Sequence, residues 1–319
     1  MIILYIIMSM RLSLIFSLVI IQTFSLYAWS SHSSLWEMPS GIDSLNISER
    51  LALSDGEELC KKRLRNKSRE IHLFSYPSGK YKLKAYISFE PAKKSQAPVL
   101  FFLRGGNNNF GLMNPANSIS CYGSYTVIGL SYRGGVSPGK DEYGGKDLLD
   151  VAALINFFPH LASTYGISTT SNRYMLGASR GGLQMFLVLN KFPAIQQQFK
   201  SVLSLSGILD LELLIKQRPS MNNMFRRDFG LSDRNAKQWI RARNPIKNLH
   251  NISRDLPIII LQASHDQRVT PLIGKKMVIE LISKGFRNIR YREITHAQHA
   301  LRGFKNDMHI IWQLFGEEK

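Results

Sequence analysis

From residue 98 onward, short runs of uninterrupted apolar residues alternate with stretches whose apolar positions fall at helical spacing. PVLFFLRGG (98–106), TVIGLSYRGG (126–135), RYMLGASRGG (173–182), SVLSLSG (201–207) and PIIILQAS (257–264) are runs of the first kind. A run too short for a helix and lacking polar alternation suits a strand buried on both faces of a parallel sheet. KDLLDVAALINFFPHLA (146–162) instead places Leu148, Val151, Ala152, Ile155 and Phe158 on one helical face. GLQMFLVLNKF (182–192) predicts the next helix, NIRYREI (288–294) a further strand, and FKNDMHIIWQLF (304–315) a closing helix. Strand and helix in alternation predict the α/β class, with one mainly parallel central sheet and flanking helices.

Upstream of this region the pattern changes. ISERLALSDGEELCKKRL (47–64) has helical spacing, and IHLFSYPSGKYKLKAYISFEP (71–91) predicts two strands joined by a turn at Pro77-Ser78-Gly79. One segment interrupts the alternation, at about 208–256, where ILDLELLIKQ, SMNNMFRRDFG and DRNAKQWIRARNPI follow one another. Connections of that length are rarely structureless, so a helical insertion is expected over the C-terminal edge of the sheet, where open α/β sheets bind ligands. Residues 31–319 are read as a single domain carrying this insertion.

Residues 1–30 are almost wholly apolar, with Arg11 the lone basic residue. A start at Met10 gives a short positive region, the apolar run LSLIFSLVII, and small residues at Ala28 and Ser30, the pattern of a cleaved signal peptide. The rival reading is an uncleaved membrane anchor, since the full stretch is long enough to span a bilayer. Both predict export, to a periplasm or the outside, and the cleaved signal is preferred.

The net charge of +18 raises the question of nucleic acid. Lys and Arg are spread along the chain, however, and the densest run, KKRLRNKSR (61–69), lacks interleaved aromatics. A basic solvated surface is the better reading, and no nucleic-acid partner is expected. Two cysteines, Cys60 and Cys121, either form one disulfide in an exported protein or stand as separate buried thiols. No HExxH, paired CxxC or carboxylate cluster suggests a metal, and no GxGxxG opens a helix after a strand, so no cofactor is expected.

The candidate chemistry centres on GASRGG (177–182), a serine flanked by glycines between the RYML strand and an amphipathic helix. A tight strand-to-helix turn lifts the Ser179 hydroxyl above the sheet, and Gly177, Gly181 and Gly182 keep neighbouring backbone clear of it. A serine nucleophile needs a base and the base an orienting acid. Asp266 falls in the loop after PIIILQAS, and His296 and His299 in the loop after NIRYREI, so acid and base follow the serine in chain order. His299, the last histidine of its loop, is the preferred base, with His296 the alternative. Arg104 and Arg133 are read as braces of their Gly-Gly turns, and Asp147 and Asp150 as structural carboxylates.

From about Ile71 to Phe315 the chain resembles the catalytic domain of the prolyl oligopeptidase family of serine peptidases, within the α/β-hydrolase fold. FFLRGGN, LSYRGG, YGGKDLLDV, GASRGG, ARNPI and ILQASHDQRV carry the resemblance, in the expected order. It implies Ser179 as nucleophile, Asp266 as the acid and a late histidine as base. It also implies an oxyanion hole built from backbone N–H groups of the Gly105–Gly106 turn and of Arg180. Larger members carry a β-propeller before this domain, and residues 31–70 leave no room for one, which keeps simple esters open as substrates. The expected protein is an exported serine hydrolase acting on a small peptide or ester, with a carboxylesterase as the alternative. A non-catalytic binding module on the same scaffold is the remaining reading.

Overall fold

A computed structural model describes residues 33–169, 171–302 and 307–317. The expected signal or anchor segment, 1–30, lies outside the described residues, and among the described residues no helix is long and apolar enough to cross a membrane. Among the described residues nine strands form one sheet: β1 (Ser44–Asn46), β2 (Glu70–Ser78), β3 (Tyr81–Phe89), β4 (Val99–Leu103), β5 (Thr126–Leu130), β6 (Arg173–Ala178), β7 (Ser201–Leu205), β8 (Ile258–Ala263) and β9 (Ile289–Ile294). The strand order is β1-β2-β3-β5-β4-β6-β7-β8-β9. β1, β2, β3 and β5 pair antiparallel, and from β5 to β9 every pairing is parallel.

The apolar runs are buried on both faces, as their lack of alternation requires. In β4, Val99, Phe101 and Leu103 enter one core while Leu100 and Phe102 enter the other. β8 divides likewise, with Ile258 and Ile260 on the first side and Ile259, Leu261 and Ala263 on the second.

The helices are α1 (Ser48–Ala52), α2 (Glu58–Arg65), α3 (Ser118–Cys121), α4 (Leu148–Tyr165), α5 (Arg180–Lys191), α6 (Leu211–Gln217), α7 (Pro219–Phe229), α8 (Asp233–Ala242), α9 (Pro271–Ser283) and α10 (Asp307–Phe315). The first core lies under α4, α5, α9 and the α6–α8 segment; the second is covered by α1, α2 and α10, with Trp36 and Trp312 fully buried.

Four details differ from the sequence pattern. The 47–64 stretch is two helices, because a turn at Ser54-Asp55-Gly56 sets Gly56 so close to Ala116 that a Cβ would lie 2.7 Å from the Ala116 Cβ. The β2–β3 hairpin turns at Gly79-Lys80, with Gly79 at φ +58°, so Pro77 and Ser78 stay inside β2 opposite Lys82 and Tyr81. Helix α9, between β8 and β9, follows a Thr-Pro start and buries Ile273, Met277 and Leu281 at four-residue intervals. The basic run 61–69 is also not wholly a solvated face. Arg69 is fully buried and donates to the carbonyls of Ser88 (3.2 Å) and Tyr125 (2.5 Å), and Arg63 donates to those of Cys121 and Gly123. These two arginines clamp the turn after α3, where a disulfide joins Cys121 to Cys60.

Candidate active site

Ser179 is the single residue between β6 and α5, at φ 55°, ψ −118°. Such a conformation costs a non-glycine residue of order 1–3 kcal/mol and persists only where its surroundings over-determine it. Here they do. The Ser179 amide donates to Leu205 O (2.9 Å), and its carbonyl accepts from Gly182 N (3.0 Å) and Ile208 N (2.9 Å). The flanking glycines are forced by contact. A Cβ on Gly181 would lie 1.8 Å from Leu103 O, one on Gly177 2.4 Å from Gly181 O, and one on Gly182 2.7 Å from Gly207 Cα.

Asp266 follows β8 and His299 follows β9, so both stand at the same C-terminal sheet edge as Ser179. His299 Nδ1 lies 2.7 Å from Asp266 Oδ2, while Asp266 Oδ1 accepts from the amides of Arg268 (2.8 Å) and Val269 (2.9 Å). Burial acts to raise the Asp266 pKa, but the His299 contact and the two amides outweigh it and hold the carboxyl below its usual range. An ionised carboxylate only accepts, so His299 donates to it through Nδ1–H, and Nε2 is the ring nitrogen that does not face Asp266. Ser179 and His299 line one cavity of about 770 Å³. Arg218, Met221 and Met224 of the 208–256 segment line the same cavity, so the helical insertion overhangs the site.

His296 does not join this group. It is exposed, its amide bonds Ser264 Oγ at 2.9 Å, and its ring meets the exposed His265 ring edge-on at 5.2 Å. His299 is instead drawn inward where Ala300, at φ 55°, turns the chain and its amide meets Ser206 Oγ at 3.2 Å.

The Gly105–Gly106 turn lies directly against the serine. A Cβ on Gly105 would meet the Ser179 Cβ at 3.1 Å and its Oγ at 3.6 Å. Gly106 sits at φ +70°, where a Cβ would come within 1.9 Å of Phe110 O. Both carbonyls of this turn are taken by buried arginines. Arg104 Nη1 donates to Gly105 O (2.9 Å) and Arg180 Nη1 to Gly106 O (2.7 Å). Arg104 also reaches Phe110 O, Asn108 O and Ser131 O, and burial, which outweighs the opposing effects of Tyr132 and Asp141, pulls its pKa down to about 10.

The Arg180 side chain is fully buried and bidentate on Asp141 (2.6 and 2.7 Å), with Asp147 Oδ2 at 2.5 Å and the Tyr132 and Tyr143 rings beside it. Burial opposes its charge, but Asp141 and Asp147 outweigh burial and hold the guanidinium firmly protonated. Asp147 also accepts from the amides of Gly144 and Gly145 and from Gln184. The sequence alone did not single out Asp141, which no local motif marks. Asp150 accepts two bonds from the Arg133 side chain (2.8 and 2.6 Å), one from the Arg133 amide (3.2 Å) and one from Ser78, and neither Asp150 nor Arg133 lines the cavity of Ser179. Among the described residues no group of three His, Cys, Asp or Glu side chains is placed to hold a metal ion.

Several known proteins are similar to this chain. An uncharacterized peptidase of Bacillus subtilis, YtmA, is 23% identical over 214 residues, covering 66% of this chain and 79% of that protein. Among solved structures, an acylaminoacyl peptidase of Pyrococcus horikoshii aligns with a TM-score of 0.59 at 16% identity, over 77% of this chain. A puromycin-hydrolyzing peptidase of Mycobacterium tuberculosis aligns at 0.59 and 17%, also over 77% of this chain. The chain spans only 40% and 39% of the lengths of those two proteins. At such identities the likeness is one of fold, and the fold is that of the α/β-hydrolase peptidases. The model of the prolyl oligopeptidase family matches residues 124–315, more than half of the sequence and the part that carries Ser179, Asp266 and His299; the chain belongs to that family of serine peptidases.

Proposed function

We propose that this protein is an exported serine hydrolase that cleaves small peptides through an acyl-enzyme, with Ser179, His299 and Asp266 as its triad. The observation that carries the reading is the His299–Asp266 bond of 2.7 Å facing the cavity into which the strained Ser179 turn opens. Ser179 Oγ attacks the scissile carbonyl while His299 Nε2 takes its proton, and Asp266 stabilises the imidazolium through Nδ1–H. The oxyanion forms against the amides of Gly105, Gly106 and Arg180. Among the described residues the two glycine amides have no other acceptor. The intermediate collapses as His299 returns the proton to the departing amine. Water, deprotonated by His299 in turn, then releases the acyl group and restores the Ser179 hydroxyl.

Export is supported by the apolar segment 1–30 and by the Cys60–Cys121 disulfide, a bond that persists in oxidising compartments. The peptide preference rests on family membership, and small esters are the second substrate class to be tested. A fluorophosphonate probe should label the wild type and leave Ser179→Ala unlabelled; equal labelling of both would discard the nucleophile assignment. A panel of p-nitrophenyl esters beside aminoacyl and prolyl amides then separates peptidase from esterase, since turnover of the esters alone would remove the peptidase reading.

A further inference from the structure

Three arginines, Arg218, Arg268 and Arg302, line the cavity shared by Ser179 and His299, and none forms an ion pair with a carboxylate among the described residues. Arginines without a carboxylate occur elsewhere too, Arg69, Arg104 and Arg243 among them donating to backbone carbonyls, but of the four that line this cavity only Arg180 holds an Asp. Arg218 is half-buried at the α6–α7 junction and donates to the Arg268 carbonyl at 3.1 Å, tying the insertion to the loop that carries Asp266. Glu57 and Asp307 line the same cavity, and among the described residues neither forms an ion pair with these arginines.

The arginines are not distributed evenly about the reaction centre. A second cavity, of about 430 Å³, adjoins the first at His299, and its wall contains Arg268 and Arg302 but not Ser179. The base that takes the serine proton must return it to the leaving atom, so the leaving group necessarily lies on the His299 flank. A group departing past His299 therefore meets Arg268 and Arg302, whose guanidiniums suit a planar carboxylate.

We propose that Arg268 and Arg302, with Arg218 behind them, bind a carboxylate carried by the leaving group. The preferred substrates are then short acyl-peptides whose released half ends in a free α-carboxylate. This deepens the serine-hydrolase reading and rests on it. Breakage of the scissile C–N bond puts the acyl group on Ser179 Oγ, and the released amine takes its proton from His299 and leaves with its carboxylate against the arginines.

The test uses pairs of acyl-peptides identical in sequence, one ending in a free acid and the other in an amide. The wild type should favour the acid in kcat/KM by on the order of tenfold, the scale of one charge-assisted hydrogen bond. That ratio should fall as salt rises, because the arginines of the rim are exposed. In the double variant Arg268→Gln, Arg302→Gln the ratio should fall toward one, and in Arg268→Glu, Arg302→Glu it should invert in favour of the amide. Fluorophosphonate labelling of each variant reports an assembled Ser179 independently of the leaving group. Equal turnover of acid and amide by a wild type that labels normally would overturn the carboxylate site and leave the hydrolase reading standing. An unchanged ratio in double variants that still label would do the same. A wild type that neither labels nor turns over any substrate would bring down the hydrolase reading, and this proposal with it.

Discussion

The Arg180 guanidinium donates to the carbonyl of Gly106 at 2.7 Å, so the residue that follows the candidate nucleophile also fixes the turn facing it. With the Gly105 carbonyl held by Arg104, both carbonyls of this turn are engaged on the arginine side. The two loops that would form the oxyanion hole are thereby locked through one buried cation and its carboxylates, Asp141 and Asp147.

Arg180→Lys keeps the charge but cannot serve two carboxylates and a carbonyl with one fork. Breaking a buried pair in this way costs on the order of 3 kcal/mol. A lower denaturant midpoint and slower fluorophosphonate labelling are expected together, and wild-type values for both would show that the bridge between the loops is dispensable.

Gly105→Ala and Gly106→Ala should fail differently. At Gly105 the new methyl would face Ser179 at 3.1 Å, so activity should fall while the unfolding midpoint stays near wild type. At Gly106 the positive φ and the contact of 1.9 Å with Phe110 O predict a loss of about 2 kcal/mol or more in stability. Denaturation and ester turnover measured side by side distinguish the two, and matching effects at both positions would contradict this geometry.

Asp266→Asn leaves the shape of the pair but removes the acceptor that fixes the His299 tautomer. A fall in kcat on the order of 10³–10⁴-fold is expected. His299→Ala should be at least as damaging, whereas His296→Ala, on the exposed loop, should stay within a few-fold of wild type. Steady-state turnover of one activated ester checks all three, and a His296 effect as large as that of His299 would reassign the base.

Asp141 carries the pH prediction. Burial acts to raise its pKa, but the Arg180 charge and its hydrogen bonds hold it below the usual carboxylate range. A carboxyl depressed on folding stabilises the native state above its unfolded value, near 3.9, and loses that contribution as pH falls through the folded value. Asp141→Asn should therefore unfold more easily than wild type at pH 7, with the deficit shrinking below about pH 4. Denaturant titrations at pH 7, 5 and 3.5 measure this, and a deficit that grows on acidification would reverse the sign.

Much of the site was legible in the residues. GASRGG between a strand and a helix marked Ser179, and the loops after two later apolar runs marked Asp266 and His299. These are local signals, because a strand-to-helix turn imposes its glycines within a few residues. The partners of Arg180 were not legible. Asp141 lies 39 residues before it and belongs to no motif, and only the approach of two loops across the sheet edge makes them a pair. Helix α9 was missed although its Thr-Pro start and four-residue apolar spacing were present in the sequence. The split of the 47–64 stretch needed the contact of Gly56 with Ala116, which no local pattern shows.

By itself, then, the sequence determined the class of fold, the buried parallel strands and the order of serine, acid and base, since each follows from short-range periodicity or turn chemistry. Only the tertiary structure decided which late histidine meets Asp266, what fixes the Gly105–Gly106 turn, and that Arg218, Arg268 and Arg302 line the same cavity as His299. Those relationships depend on distances between loops far apart in the chain, which the packing of the sheet and the overhanging helices alone sets.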